Sequence, residues 1–195
     1  MDQLGALIGF SFVSSVTPGP NNVLLWASGA EFGFRRTIRH VIGTALGIGL
    51  MALAVAAGLG TLITTVPEVG LVMKVAGSAY LLYLAYQIAR ARALERGEIA
   101  RPLGLFQAAA FQAVNPKAWI FALGAITTFR PTDQPILIGS FVVAITMMIV
   151  LIPSAALWAA GGGVLSRFIA GERSHRVVSL GLAAVLAATV AYVWI

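Results

Sequence analysis

The sequence predicts an all-α integral membrane protein: six transmembrane helices arranged as two inverted three-helix repeats, with helices one and four broken in mid-membrane. Three observations lead there. Of 195 residues, 59% are hydrophobic and 10% charged, against about 25% charged in a soluble domain, so polar atoms are too few to cover a surface facing water. Six stretches are uncharged or nearly so, and each can cross about 30 Å of hydrocarbon as a helix. None alternates with period two, as a membrane β-barrel requires.

The first stretch, residues 3–30, has no charged residue. It follows Met1-Asp2-Gln3, which lacks the basic n-region of a cleaved signal peptide, so it is read as a retained helix. Residues 41–67, 134–166 and 177–195 are also free of charge, while 69–89 and 102–129 carry one lysine each, Lys74 and Lys117. The chain is read as one transmembrane domain, with repeat one about 1–90, repeat two about 102–195 and a link at 90–101. Arg35, Arg36 and Arg39 lie in the first link, Arg90, Arg92, Arg96 and Arg101 in the third, and Arg167, Arg173 and Arg176 in the fifth. The other links offer Glu68, then Arg130 with Asp133. Positive-inside bias puts the arginine-rich links in the cytoplasm and both termini outside; a re-entrant first stretch would move only the N-terminus. The net charge of +6 is thereby explained without a nucleic-acid partner.

Sliding the chain on itself by 96 positions pairs Phe10 with Phe106, Pro20 with Pro116, and Ile42-Gly43-Thr44 with Ile138-Gly139-Ser140. With eight more residues of loop, Gly77 pairs with Gly181. Stretch one matches four, two matches five and three matches six, and an odd number of crossings reverses the second copy. Inverted repeats with a site at their interface characterise secondary transporters.

Proline carries the next inference. Ser14-Ser15-Val16-Thr17-Pro18-Gly19-Pro20-Asn21-Asn22 interrupts the first stretch, and Gln112-Ala113-Val114-Asn115-Pro116-Lys117 the fourth. A proline inside a helix costs about 3 kcal/mol, and the carbonyls it frees must face protein or a wet cavity. Thr17 before Pro18 and Asn115 before Pro116 read as N-caps with proline at N1. Two half-helices follow, at about 18–30 and 116–129, with their positive ends in mid-membrane, where free N–H groups suit a carboxylate. The candidate substrate-binding residues are accordingly Thr17, Pro18, Gly19, Pro20, Asn21, Asn22, Gln112, Asn115, Pro116 and Lys117.

Lys117 stands 12 uncharged residues before Arg130 and 15 after Arg101. A lysine at that depth costs about 2.5–3.5 kcal/mol on insertion scales and faces the bundle interior. Beside a positive helix end it is a candidate for coupling substrate to proton movement. The four amides can bind a solute or satisfy the carbonyls freed by proline, and composition alone leaves both open. Ser11, Ser14 and Ser15 share one face, read as packing or pore lining. Lys74 is expected to snorkel to the membrane surface. Tyr80, Tyr83 and Gln87 form a packing stripe. Gly43 and Gly47 admit a close neighbour, Pro153 kinks the fifth helix, and Gly161-Gly162-Gly163 ends it. Trp194 suits an interfacial belt, and His40 and His175 read as solvated link residues.

Thr17-Pro18-Gly19-Pro20-Asn21, the glycine-rich second stretch, Lys74-Val75-Ala76-Gly77-Ser78-Ala79-Tyr80-Leu81 and Asn115-Pro116-Lys117-Ala118-Trp119 together resemble the LysE/RhtB family of amino-acid exporters, over nearly the whole chain. The resemblance implies efflux of amino acids or related small metabolites across the bacterial inner membrane, driven by the proton motive force. The residues add a preference. Every Asp and Glu lies at an end or in a link, so a cationic side chain meets no embedded countercharge and a neutral amino acid fits better.

Other classes fare worse. With no cysteine and both histidines in links, an intramembrane enzyme is left with Ser14 or Ser15 beside Lys117 as its reactive pair. A metal exporter would need His, Cys or carboxylate ligands within the spans. A lipid or other small-solute translocase, or a non-transporting scaffold, is the alternative. The expected partners are a small-molecule substrate and membrane lipid, with homo-oligomerisation left open and no cofactor or metal.

Overall fold

The computed structural model describes residues 3–90, 102–168 and 172–194. Most of the arginine-rich third link, with Arg92, Arg96 and Arg101, lies outside the described residues. The regular structure of the described residues is helical. In order they form α1 (Gln3–Val16), α2 (Pro20–Phe32), α3 (Phe34–Ala54), a π-helical turn (Val55–Leu59), α4 (Gly60–Thr65), α5 (Pro67–Arg90), α6 (Leu105–Val114), α7 (Pro116–Phe129), α8 (Ile136–Phe168) and α9 (Glu172–Trp194). Three helical segments are long and apolar enough to cross a membrane, Phe34–Leu62, Pro67–Ala89 and Ile136–Val164. Gln3–Val16, Leu105–Val114 and Arg176–Ala191 are shorter apolar helices. The expected first and fourth spans are each divided into two helices, because proline interrupts both.

Large apolar side chains crowd the outer surface, among them Ile145, Ile149 and Leu157 of α8 and Leu71, Val72 and Val75 of α5. An apolar exterior of this extent suits lipid rather than water. Inside, two clusters of buried side chains meet at α2. One joins Leu25 to Ala45 and Ile48 of α3, Phe121 and Ala122 of α7, and Met147 and Ala155 of α8. The other joins Val23 and Leu24 to Leu81 of α5, Phe111 of α6 and Leu186 of α9. The helix that follows the first break therefore runs through the centre of the molecule.

Small residues permit this packing. A Cβ added at Gly29 would lie 1.9 Å from Ala159 O, and one at Gly162 1.9 Å from Trp26 O, so α2 and α8 meet backbone to backbone. The expected close approach at Gly43 and Gly47 is made to α6, through Leu105 O and Ala109 O. Gly161-Gly162-Gly163 does not end α8, which continues to Phe168. The triplet instead supplies the missing volume at which α2 docks. Pro153 also lies within α8.

His40 overturns its solvated reading: it is 1% exposed within α3, and neither ring nitrogen has a hydrogen-bond partner. Arg39 beside it is exposed; adjacent helical residues point in different directions, so a link-like sequence can carry one side chain inward. The His175 side chain lies outside the described residues. Within the aromatic stripe, Tyr80 packs at 5.8 Å on Phe111. Tyr83 is 53% exposed and accepts a hydrogen bond from Gln87 Nε2 at 2.8 Å.

Candidate functional site

The first break falls two residues later than the N-cap reading places it. Thr17 N–H still donates to Val13 O (3.1 Å) and its hydroxyl to Ser14 O (3.0 Å), so Thr17 closes α1 rather than opening α2. Gly19 is the N-cap, extended at φ −171° and ψ 173°, with Pro20 at the first helical position. Two prolines explain the shift, since each disfavours helix at the residue before it and the second sets the true start. The second break falls where expected, with Asn115 at the N-cap and Pro116 following. The Asn115 side chain does not cap: its Nδ2 donates to Gln112 Oε1 (3.1 Å), and its Oδ1 is buried without a partner.

The two breaks touch. Lys117, second residue of α7, reaches the end of α1, where its Nζ donates to Thr17 O, to Thr17 Oγ1 at 2.9 Å and to Pro18 O at 3.3 Å. A cation there meets the negative end of α1, a favourable arrangement. Gly19 makes room for it, because a Cβ at that position would stand 2.6 Å from Lys117 Cδ. A second bridge lies deeper: Asn21 Oδ1 accepts from Gln112 Nε2 (3.0 Å) and from Thr44 Oγ1 of α3 (3.1 Å). Asn21, Gln112, Asn115 and Thr44 are all buried.

An account of the freed carbonyls shows what the amides do. Asn22 Nδ2 donates to Ser15 O (2.9 Å) and to Thr17 O (2.8 Å), using both of its hydrogens. Trp119 Nε1 donates to Ala113 O (2.8 Å), and Gln112 O accepts from Asn115 N–H (3.1 Å). Carbonyls that proline leaves without a helical partner are thus met by side chains or, at Gln112, by a backbone N–H, as a low-dielectric surrounding demands. Thr44 and Trp119 belong to this arrangement without having been singled out. Threonine in a glycine-rich helix carries no local signal, and Trp119 was noted only as part of the motif that follows Pro116.

Two spaces open at the breaks, and both are lined by Gly19 and Lys117. The inner one, about 40 Å³, is bounded by Asn21, Asn22, Thr44, Gln112 and Asn115 among others. That is room for about one water. The outer cleft, about 740 Å³, runs between the breaks and α5 and α9, with Gly70, Met73, Lys74 and Gly77 along one face of α5. Gly77 lies so close to α6 that a Cβ would stand 2.6 Å from Val114 O. Lys74, expected at the membrane surface, lines this cleft. Among the described residues, no acidic side chain lines either space. Pro18, Pro20 and Pro116 border the cleft, so every residue of the candidate set lies within this assembly.

Residues paired by sliding the chain on itself behave alike in part. Pro20 and Pro116 both begin helices, and the Thr44 and Ser140 hydroxyls both lie within hydrogen-bond distance of the carbonyl four residues back, an acceptor that for Thr44 shares its one hydrogen with Asn21 Oδ1. Phe10, by contrast, packs with tilted rings against Phe121 and Phe129 while Phe106 is 85% exposed. Gly181 faces open space where its counterpart Gly77 is tightly packed.

Comparison with known proteins gives one consistent answer. A family model described as LysE type translocator matches residues 12–194. Proteins named cysteine/O-acetylserine efflux protein from Escherichia coli (strain K12), Shigella sonnei (strain Ss046) and Shigella flexneri are each 30% identical over 168 residues, 84% of this chain and 84% of theirs. No solved structure matches the chain.

Proposed function

Since the chain belongs to the LysE-type translocator family, and is a transporter rather than an enzyme, we propose that it is a secondary active exporter of amino acids or closely related small metabolites across the bacterial inner membrane, driven by the proton motive force. One observation carries this reading: two interrupted helices meet through half-buried Lys117 at an exposed edge and through the buried Asn21–Gln112 pair, beside a cleft of about 740 Å³. That volume is in the range of small-molecule sites, about 300–1,000 Å³.

In this reading the six spans are α1 with α2, α3, α5, α6 with α7, α8 and α9, two inverted repeats whose breaks form the substrate site at the interface. Thr17, Pro18, Gly19, Pro20, Asn21, Asn22, Gln112, Asn115, Pro116 and Lys117 make up that site. The arginine-rich links face the cytoplasm and the C-terminus lies outside. A neutral amino acid is the preferred substrate, because among the described residues no carboxylate lines the inner space or the cleft. Cysteine and O-acetylserine, the solutes in the relatives' names, each carry an α-carboxylate and an uncharged side chain, which supports the preference. The inner space is too small for an amino acid. Passage therefore requires the breaks to separate, and the Lys117 contacts are what must be released.

The test is efflux of labelled cysteine and O-acetylserine from preloaded cells, with and without an uncoupler. Cells making the protein should lose label faster than controls, and the uncoupler should abolish the difference. Lys117→Met should bring efflux to the control level while folded protein is still recovered. Undiminished efflux in that variant would remove Lys117 from the mechanism, and insensitivity to the uncoupler would remove the proton motive force. Absence of efflux for every amino acid tried would sink the reading as a whole.

A further inference from the structure

Three polar hydrogens exhaust the donor capacity of a lysine ammonium, and Lys117 has three acceptors at the first break: Thr17 O, Thr17 Oγ1 and Pro18 O. Two amide donors beside it are spent in the same way. Asn22 Nδ2 holds two carbonyls, and Gln112 Nε2 holds Asn21 Oδ1 and Ala108 O. A solute carboxylate arriving in the outer cleft therefore meets a Lys117 ammonium whose hydrogens already have partners.

Lys74 is different. It lies on the α5 face that borders the cleft, one turn before Gly77. Among the described residues its ammonium has no hydrogen-bond or ion-pair partner; its contact is the face of the Trp194 ring, 6.0 Å from the centroid. Trp194 is itself held by its Nε1, which donates to Ser78 Oγ at 2.9 Å. Ser78 lies one turn beyond Lys74 on α5, so the ring is fixed at the height of the lysine. A cation over an aromatic face is steered without losing a donor, at about 0.5–1 kcal/mol for an exposed pair. With no acid in the lining among the described residues, a solute carboxylate supplies the opposite charge.

We propose that Lys74 is the substrate-binding residue that engages the α-carboxylate of the exported solute in the outer cleft, while Lys117 acts as a positioning residue that clasps the two breaks together. This inference rests on the export reading and names a residue for it. Trp194 holds the Lys74 ammonium beside the cleft until a carboxylate accepts a charge-assisted hydrogen bond from it.

The experiment uses inside-out membrane vesicles containing the full chain, labelled O-acetyl-L-serine as transported solute, and its carboxamide, which lacks the negative charge, as competitor. Wild type should be inhibited weakly by the carboxamide. Lys74→Met should raise the half-saturating concentration about tenfold or more, the size of one charge-assisted hydrogen bond, with the maximal rate changed less than about twofold. It should also lose the discrimination between acid and carboxamide, a readout that a packing defect would not move. Lys74→Arg should restore much of the affinity, since it restores the charge and its donors. Lys74 is exposed, so the variants should fold, and an unchanged unfolding midpoint checks this. An unaltered half-saturating concentration and preserved acid preference in Lys74→Met would overturn the assignment while leaving the export reading intact. Wild-type vesicles that transport no amino acid would overturn both.

Discussion

Asn21 Oδ1 receives two donors from two different helices, Gln112 of α6 and Thr44 of α3. Gln112 is 1% exposed and also accepts from Asn115, so one side chain joins both breaks. In a low-dielectric interior, loss of one member leaves the others unpaired. Gln112→Leu is expected to cost about 1–2 kcal/mol, in line with interhelical hydrogen bonds in membranes and with unsatisfied buried groups. For a chain of this size that lowers the unfolding midpoint in detergent by about 3–6 °C. Pairing it with Asn21→Ala should give much less than the sum of the two single effects, since both remove the same bond. Strict additivity in that cycle would show that the Asn21–Gln112 contact carries no energy.

At the scale of the helix, glycine and proline have opposite jobs. Proline ends helices where the site needs free carbonyls and N–H groups, and glycine lets helices meet where the bundle needs density. The triplet in α8 separates these effects cleanly. Gly162 has Trp26 O where a Cβ would go, at 1.9 Å, while the nearest atoms to a Cβ at Gly161 are at an ordinary 3.7 Å. Gly162→Ala and Gly29→Ala should therefore force α2 and α8 apart and destabilise by about 1–3 kcal/mol or more. Gly161→Ala, and Gly181→Ala on α9, should be within about 0.5 kcal/mol of wild type. Folded yield after detergent extraction, read by size-exclusion chromatography, checks the contrast. Equal tolerance at Gly161 and Gly162 would contradict the backbone-to-backbone contact. Gly33, at φ 79°, and Gly58, at φ 104°, are positions where glycine is needed for conformation rather than space.

Considered whole, the molecule has a central helix, α2, that belongs to both buried clusters and begins at the first break. Any motion that separates the breaks must repack α2 against α8, α3 or α9, so transport and stability are coupled through one element. The proposed orientation is directly testable because the chain contains no cysteine. Arg36 and Asp133 are both exposed and lie in links assigned to opposite sides. A membrane-impermeant maleimide should label Asp133→Cys from outside the cell and Arg36→Cys only in inside-out vesicles. The reverse pattern would invert the topology, and labelling of both from one side would break the six-span reading.

Much of this was legible locally. Apolar stretches, the positions of both breaks and the helix start at Pro116 follow from composition and from the missing N–H of proline, properties that each residue carries wherever it stands. The start of α2 was misplaced by two residues because Pro18 and Pro20 offer competing local solutions. Long-range partners were not legible at all. That Lys117 would clasp Thr17, that His40 would turn inward, that Gly162 would seat α2 and that Lys74 would border a cleft depend on which helix faces meet. Many registers bury apolar side chains almost equally well, and only the assembled bundle, by close approach at glycine and by pairing of the carbonyls that proline sets free, selects one of them.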